Sequence, residues 1–229
     1  MKDPLDTGHG MKLLLGLSLL LSAVVTGAVA YKLATRPPPP LAEPDYRGSR
    51  ATLFRVQASP ADVVLLGDSL TDWGEWHELL QRAVINRGIA GDTTEDVRAR
   101  LGPVLAATPK TIALMVGVND LLRGGTVDGT AGGVLAIVKE IRAKAPGTRL
   151  LVQSILPIRV PGDVEVNAWI DRVNARLAAG AAAGGYEYLD VSRAVRGPDG
   201  ALDQRFTTDG LHLSGEGYQA WANVLRKAL

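Results

Sequence analysis

Three residues of the sequence, Ser69, Asp209 and His212, have the types and spacing that nucleophilic acyl transfer needs. A serine hydroxyl attacks a carbonyl carbon when a base takes its proton and a carboxylate fixes the tautomer of that base. Asp209 stands three residues before His212 across a glycine, so its carboxylate can bind one ring nitrogen while the other faces Ser69. The spacing therefore predicts a Ser-His-Asp triad that forms an acyl-enzyme intermediate.

The same chemistry needs hydrogen-bond donors for the oxyanion of the tetrahedral intermediate. The sequence offers the backbone N–H groups of Ser69 and Gly91 and the side-chain amide of Asn119. Two of these residues also have a plainer interpretation: Gly91 could serve a turn with positive φ, and Asn119 could stabilise a loop. The residues alone leave these alternatives open.

Further candidates stand near the triad. His77, eight residues after Ser69, is a rival base, but no aspartate stands at a comparable spacing to orient it. Four residues that follow the serine or a strand end are candidates for substrate binding: Trp73, Leu121, Pro157 and Ile158. Core or surface packing is an equal alternative for each of the four.

The candidate site must be positioned by elements that alternate between short apolar runs and longer helical patterns. The apolar runs predict strands at 62–67, 84–87, 111–116, 149–155 and 186–190. Apolar residues at helical spacing predict helices at 74–82, 94–106, 131–144, 164–182 and 215–228. This alternation predicts an α/β fold with a parallel sheet and helices on both faces. In such sheets ligands bind beyond the carboxyl ends of the strands, where Ser69, Gly91 and Asn119 are expected.

The composition limits the class of protein. The chain has 229 residues, enough for one domain with a full core and an extension. Its 25 basic and 24 acidic side chains nearly balance, and no basic run predicts a nucleic-acid partner. The absence of cysteine excludes disulfides, a cysteine nucleophile and a cysteine-ligated metal. Its three histidines are scattered along the chain, which argues against a histidine-based metal site.

The N-terminal sequence predicts segments outside the catalytic domain. After a tail of residues 1–12, residues 13–31 carry no charge and are long enough to cross a bilayer as a helix. Ala28-Val29-Ala30 has the form of a signal-peptidase site, so a cleaved signal peptide is the alternative to a membrane anchor. Residues 32–60, with four consecutive prolines, predict a linker and lead-in, and residues 61–229 form the predicted domain. Both alternatives predict export, with the domain either anchored facing the periplasm or cell exterior, or released as a periplasmic or secreted protein.

Other classes agree less well with the sequence. The nucleophile motif of α/β-hydrolases needs a second glycine where Thr71 stands. The glycine patterns of proteins that bind dinucleotides or nucleoside triphosphates do not occur. A non-enzyme alternative is a membrane-tethered module that binds an acylated ligand, and the complete set of Ser69, Asn119 and His212 argues against it.

Four short motifs give the chain a family resemblance. They are Gly67-Asp68-Ser69-Leu70, Gly88-Ile89-Ala90-Gly91-Asp92-Thr93, Gly117-Val118-Asn119-Asp120 and Asp209-Gly210-Leu211-His212. In this order they resemble the motifs of the SGNH, or GDSL-type, hydrolases. The sequence of the second motif is most similar to that of the branch that contains platelet-activating-factor acetylhydrolase catalytic subunits and bacterial acyl esterases.

The resemblance implies a flavodoxin-like three-layer α/β/α sandwich with a five-stranded parallel sheet. The N-terminal hydrophobic helix predicted from residues 13–31 precedes this domain. It implies that Ser69, Gly91, Asn119 and His212 are the residues that name the family, with Asp209 as the third triad member. It also implies hydrolysis of small carboxylic esters with short acyl chains, without metal or cofactor. Within the family, a carbohydrate O-acetylesterase, a lysophospholipase or a thioesterase is the alternative.

Overall fold

The computed structural model of the chain describes residues 7–35, 45–57, 60 and 62–229. The chain divides into two compact units, one up to residue 44 and one from Asp45 to Leu229. The four prolines that predict a stiff linker, Pro37 to Pro40, lie outside the described residues.

The first unit contains one described helix, α1 (Thr7–Ala34), which includes the uncharged segment 13–31. The predicted N-terminal hydrophobic helix is therefore present. Within the described residues, none of the helices combines the length and the apolar character that crossing a membrane requires. The structure thus gives no support to the prediction that this segment spans a membrane.

The second unit is built on a five-stranded parallel sheet. Its strands are β1 (Val63–Gly67), β2 (Ile85–Gly88), β3 (Thr111–Met115), β4 (Arg149–Gln153) and β5 (Glu187–Leu189). Neighbouring strands all pair in parallel, in the order β2-β1-β3-β4-β5. The carboxyl ends of the strands therefore meet at one edge of the sheet, where open α/β proteins bind their ligands. The arrangement confirms the predicted flavodoxin-like fold.

Helices connect the strands and cover both faces of the sheet. They are α2 (Tyr46–Val56), α3 (Ser69–Asp72), α4 (Trp76–Leu80), α5 (Thr94–Ala99), α6 (Leu101–Ala106), α7 (Val118–Leu122), α8 (Val127–Lys144), α9 (Asp163–Gly184) and α10 (Gly215–Ala228). Two short 3-10 helices, Ser192–Ala194 and Gln204–Phe206, lie between β5 and α10.

Strand β1 contributes to a separate apolar cluster on each face of the sheet. Val64 and Leu66 are buried in a cluster with residues of α5, α6, α8 and α9. Val63 and Leu65 are buried in a second cluster with residues of α4 and α10. Full burial of such a side chain contributes roughly 1.5–3 kcal/mol. Because β1 is fixed on both faces, its last residue, Gly67, is a rigid base for the turn that follows.

Two elements differ from the sequence prediction. The predicted helix 94–106 is divided at Arg100 into α5 and α6. Pro103 has no N–H to donate to the carbonyl of Ala99, so a continuous helix would lose a hydrogen bond there. Helix α8 begins four residues before the predicted start at 131, because the Thr126 side chain caps it by accepting from the Gly129 N–H.

Candidate active site

Ser69 is the first residue of α3, directly after the turn that ends β1. The Asp68 carboxylate caps this helix by accepting from the Leu70 N–H at 3.1 Å. Asp68 is buried, and within the described residues its second oxygen has no hydrogen-bond partner. Burial raises the pKa of Asp68 to about 7, against the opposing hydrogen bond from Leu70. The turn therefore holds Ser69 at the carboxyl end of β1, as the sequence predicts.

The structure brings Ser69, His212 and Asp209 into one chain of hydrogen bonds. His212 Nε2 lies 3.1 Å from Ser69 Oγ, and His212 Nδ1 lies 2.6 Å from Asp209 Oδ2. These distances lie within or close to the range of hydrogen bonds between a nucleophile, its base and the group that orients the base. When Nδ1 donates to Asp209, Nε2 can accept the hydroxyl proton of Ser69.

The turn that carries the histidine also fixes Asp209. Asp209 Oδ1 accepts from the backbone N–H groups of Leu211 at 2.9 Å and His212 at 2.8 Å. Partial burial alone would raise the pKa of Asp209, but hydrogen bonds from the His212 side chain and these N–H groups lower it to about 2. Position 210 requires glycine, because its φ is 84° and a Cβ there would collide with the Arg159 carbonyl. The carboxylate is therefore ionised at neutral pH and aligned with the imidazole.

Gly91 lies in the loop between β2 and α5 with a left-handed φ of 80°. Its carbonyl oxygen accepts from the Arg123 guanidinium at 2.8 Å, and its N–H makes no hydrogen bond within the described part of the chain. The preceding N–H, of Ala90, donates to Asp72 Oδ2 at 2.9 Å. The loop is thus held by its neighbours while the Gly91 N–H stays available as a donor.

Asn119 follows β3 in the first turn of α7. Its Nδ2 donates to the Asp92 carbonyl at 3.0 Å, which leaves the second N–H of the amide available. The next residue, Asp120, accepts from the N–H and the hydroxyl of Thr94 at 3.0 and 2.6 Å. These hydrogen bonds join the loop after β3 to the loop that carries Gly91.

The order of the strands places these loops next to one another. Strand β1 pairs with β2 on one side and β3 on the other, which aligns Gly67 with Gly88 and with Met115. The Gly67 carbonyl also accepts from the Ile89 N–H at 3.2 Å. Ser69 therefore follows the strand that lies between those leading to Gly91 and Asn119.

Trp73, a predicted substrate-binding residue, lies against the predicted base. The ring centroids of Trp73 and His212 are 3.9 Å apart, and the ring planes are inclined by 28°. The stacked indole restricts rotation of the imidazole, and Trp73 is still 51% exposed. It therefore offers an aromatic surface directly beside the site.

The other predicted substrate-binding residues lie in the interior. Leu121 and Ile158 are 2% and 1% exposed within the core, and Pro157 is also buried. The Asn167 amide fixes this stretch by accepting from the Ile158 N–H at 2.9 Å and donating to the Ile158 carbonyl at 2.8 Å. Unlike the prediction, the three side chains have almost no surface for a substrate, because they are packed in the interior.

His77, the rival base, is not part of the hydrogen-bonded chain. It lies on an exposed part of α4 and makes no hydrogen bond to Ser69. In the described ranges, no group of three histidine, aspartate or glutamate side chains is arranged to hold a metal ion.

Sequence reasoning missed a group of polar residues around the loop that carries Gly91. They are Tyr46, Arg47, Arg50, Asp72 and Arg100. Tyr46 and Arg50 are four residues apart and share one face of α2, which is the type of signal that predicts a polar partner. That signal does not identify the partner, because Asp72 lies more than twenty residues away in the sequence.

Comparison with known proteins shows which family the chain resembles. The model of the GDSL-like lipase/acylhydrolase family matches residues 65–220. Platelet-activating factor acetylhydrolase IB subunit alpha2 from Rattus norvegicus is 33% identical over 171 residues, which cover 69% of this chain and 71% of that protein.

Two solved structures share the fold. A GDSL-like lipase from Bacteroides thetaiotaomicron has a TM-score of 0.69 and 26% identity, covering 80% of this chain and 96% of its own. The lipase/acylhydrolase from Enterococcus faecalis has a TM-score of 0.62 and 26% identity, covering 73% of this chain and 94% of its own. These similarities confirm the resemblance given by the four motifs. The chain belongs to the GDSL-like lipase/acylhydrolase family and is a hydrolase that acts on ester bonds.

Proposed function

We propose that the chain hydrolyses carboxylic esters of short acyl groups through an acyl-enzyme on Ser69. The observation that supports this most strongly is the continuous chain of hydrogen bonds from Ser69 Oγ through both nitrogens of His212 to Asp209. In this arrangement the hydroxyl can lose its proton as it attacks, without metal assistance.

In the first half of the reaction, His212 Nε2 takes the Ser69 hydroxyl proton while Ser69 Oγ bonds to the ester carbonyl carbon. The oxyanion of the tetrahedral intermediate accepts from the N–H groups of Ser69 and Gly91 and from the Asn119 amide. The bond from the carbonyl carbon to the alcohol oxygen then breaks, and that oxygen receives the proton from His212.

In the second half, water gives a proton to His212 Nε2 as its oxygen bonds to the acyl carbon. The bond between the acyl carbon and Ser69 Oγ then breaks, and the proton returns to the serine. Asp209, ionised at neutral pH, stabilises the imidazolium that forms in each half.

Two observations support a short acyl group. The curated relative at 33% identity is named an acetylhydrolase. Leu121 and Ile158, two apolar residues predicted to bind the substrate, are buried in the core and offer almost no surface to an acyl chain. A long acyl chain would therefore have to lie along the surface, where burial stabilises it less.

The test is a series of p-nitrophenyl esters of increasing acyl length, measured with the full chain and with Ser69→Ala. We expect kcat/KM to be highest for acetate or propionate and to fall with chain length. We also expect Ser69→Ala to lose about 10⁴-fold or more in kcat. Equal turnover by the wild type and Ser69→Ala would contradict the mechanism.

A carbohydrate O-acetylesterase is the second candidate, and the exposed indole of Trp73 beside His212 favours it. Sugar rings present C–H groups that pack on aromatic faces. Faster hydrolysis of an acetylated xylo-oligosaccharide than of p-nitrophenyl acetate, lost in Trp73→Ala, would select this candidate. If Trp73→Ala lost activity equally on both substrates, a simple ester would be favoured as the substrate.

Export of the domain stays a prediction from residues 13–31. N-terminal sequencing of the protein recovered from cell fractions tests it. A new N-terminus directly after Ala30 supports cleavage of a signal peptide, whereas an intact chain in the cytosolic fraction contradicts export.

A further inference from the structure

Helix α2 belongs to the compact unit that holds the site, yet it precedes residues 65–220, the part of the chain that the family model matches. Three polar side chains of its first two turns contact two aspartates near Ser69. Tyr46 and Arg50 bind Asp72, and Arg47 binds Asp92. These contacts give α2 a connection to both ends of the loop that carries Gly91.

The first connection runs through the Asp72 carboxylate, whose side chain is 2% exposed. Its Oδ1 accepts from Arg50 Nε at 2.9 Å, and its Oδ2 accepts from the Tyr46 hydroxyl at 2.5 Å. The same Oδ2 accepts from the Ala90 N–H at 2.9 Å. Through this carboxylate, α2 therefore fixes the residue immediately before Gly91.

The second connection runs through the Asp92 carboxylate, whose side chain is 1% exposed. Arg47 binds its Oδ1 at 2.9 Å, and Arg100 binds its Oδ2 at 2.6 Å. Arg100 also donates to the Gly67 carbonyl at 2.9 Å, and Asn119 donates to the Asp92 carbonyl at 3.0 Å. Through Asp92, α2 fixes the residue immediately after Gly91 and contacts the network that includes Asn119.

Helix α2 is itself anchored by Phe54, which is 3% exposed. The guanidinium groups of Arg50, Arg87 and Arg100 lie 5.2, 4.7 and 5.6 Å from its ring centroid. Arg87 also donates to the Gln57 carbonyl at 2.8 Å, beyond the end of the helix. The anchor explains how a short helix can hold two carboxylates in fixed positions.

We propose that α2 is a positioning element of the active site, in which Arg47 holds Asp92 and so fixes the Gly91 N–H and the Asn119 amide toward the oxyanion. The inference rests on the proposed function, since it assigns those two donors to the oxyanion. A left-handed glycine such as Gly91 has the freest backbone of any residue, so its donor direction depends on its neighbours. Misplacement of a donor by about 1 Å is enough to lower a rate strongly.

Variants of Arg47 can distinguish a role of α2 in positioning the active site from a role in folding alone. The Arg47 side chain is 44% exposed, and the buried Asp92 carboxylate keeps its ion pair with Arg100 when Arg47 is removed, so we expect little change in stability. Arg47 Nη2 contacts both Asp92 and Asp96 at 2.9 Å, so a single ammonium could replace it. Arg47→Lys should therefore retain the function that Arg47→Ala loses.

The experiment measures kcat, KM and Tm on p-nitrophenyl acetate for the full-length wild type, Arg47→Ala and Arg47→Lys. The matched control is Arg193→Ala, which removes another exposed arginine–aspartate pair, with Asp190, beside the edge strand β5. We expect Arg47→Ala to lower kcat about 10-fold, with KM and Tm close to those of the wild type. Arg47→Lys should recover most of the rate, and the control should match the wild type.

A double variant tests whether Arg47 acts through the oxyanion donors. If it does, Arg47→Ala combined with Asn119→Ala should lose less than the product of the two single losses. Multiplicative losses, or a wild-type kcat in Arg47→Ala, would overturn this inference while leaving the proposed function intact. Undiminished turnover in Ser69→Ala would overturn the proposed function and this inference together.

Discussion

The two halves of the candidate site are built in different ways. The half with His212 is local: Asp209 reaches the imidazole within one turn and is held by the N–H groups of Leu211 and His212. The half with Gly91 is assembled from distant segments, because its neighbours are held by residues of α2 and by Arg100. The local half can be predicted from a short motif, whereas the assembled half depends on the whole fold.

Because the two halves are built differently, variants in them should lose catalytic activity in different ways. A variant in the local half removes a proton acceptor or its orienting group and should abolish catalysis without moving other loops. A variant in the assembled half changes the direction of a donor, so its effect should be smaller and should depend on the other donors. The first two of the three predictions that follow test this ranking.

The largest effect should come from Asp209→Asn. An amide at this position can favour the wrong tautomer of His212, so we expect kcat to fall about 10³- to 10⁴-fold with little change in KM. Asp203→Asn is the matched control, because Asp203 also accepts from a nearby backbone N–H, that of Arg205, outside the hydrogen-bonded chain. A loss below about 10-fold would show that Asp209 does not orient the base.

A smaller loss is expected for Asn119→Ala, which removes one oxyanion donor. We expect kcat to fall about 10²- to 10³-fold, and the Tm to change little. Asn223→Ala, on the exposed side of α10, should keep the wild-type rate. If Asn119→Ala changed only KM, the amide would bind the ground state and not the oxyanion.

The smallest predicted effect is on the stability of the folded protein, which Asp68 and Asp209 should influence with opposite pH dependence. Asp68 is buried with its pKa raised to about 7 from 3.8, so the folded state retains a proton that the unfolded state loses. Its contribution to stability is present below about pH 4 and is lost as the pH rises to about 7. Asp209, with its pKa lowered to about 2, has the opposite sign and contributes above about pH 4.

Asp68→Asn keeps an oxygen that can cap α3 and removes the titrating group. Relative to the wild type, its Tm should rise by several degrees between pH 4.5 and pH 8, since about 1 kcal/mol corresponds to roughly 2–4 °C in a domain of this size. Thermal unfolding of both proteins at the two pH values measures the difference. A difference that does not change with pH would show that Asp68 stays ionised in the folded protein.

The comparison of the two halves also explains what could be predicted from the sequence. All five strands lie within two residues of their predicted bounds, because short apolar runs and buried strands share the same local signal. The residues of the local half were assigned from one motif of four residues. The break at Arg100 was missed, although Pro103 is a local signal for it.

The remaining features depend on contacts between distant residues. Nothing in the sequence near Arg47 or Arg50 indicates that their partners are Asp92 and Asp72. In the same way, an apolar residue after a strand can face the site or the core, and only the completed fold places Leu121 in the core. Long-range partners follow from chain topology, which local patterns do not contain.

The central claim is that Ser69 forms the acyl-enzyme, and intact-protein mass spectrometry with a fluorophosphonate probe tests it most directly. The probe forms a stable adduct with a serine that is activated by a base, and peptide mapping identifies the residue. We predict one adduct, on Ser69, in the wild type and in Arg193→Ala, and no adduct in Ser69→Ala. An adduct on a different residue, or equal labelling of Ser69→Ala, would contradict the account.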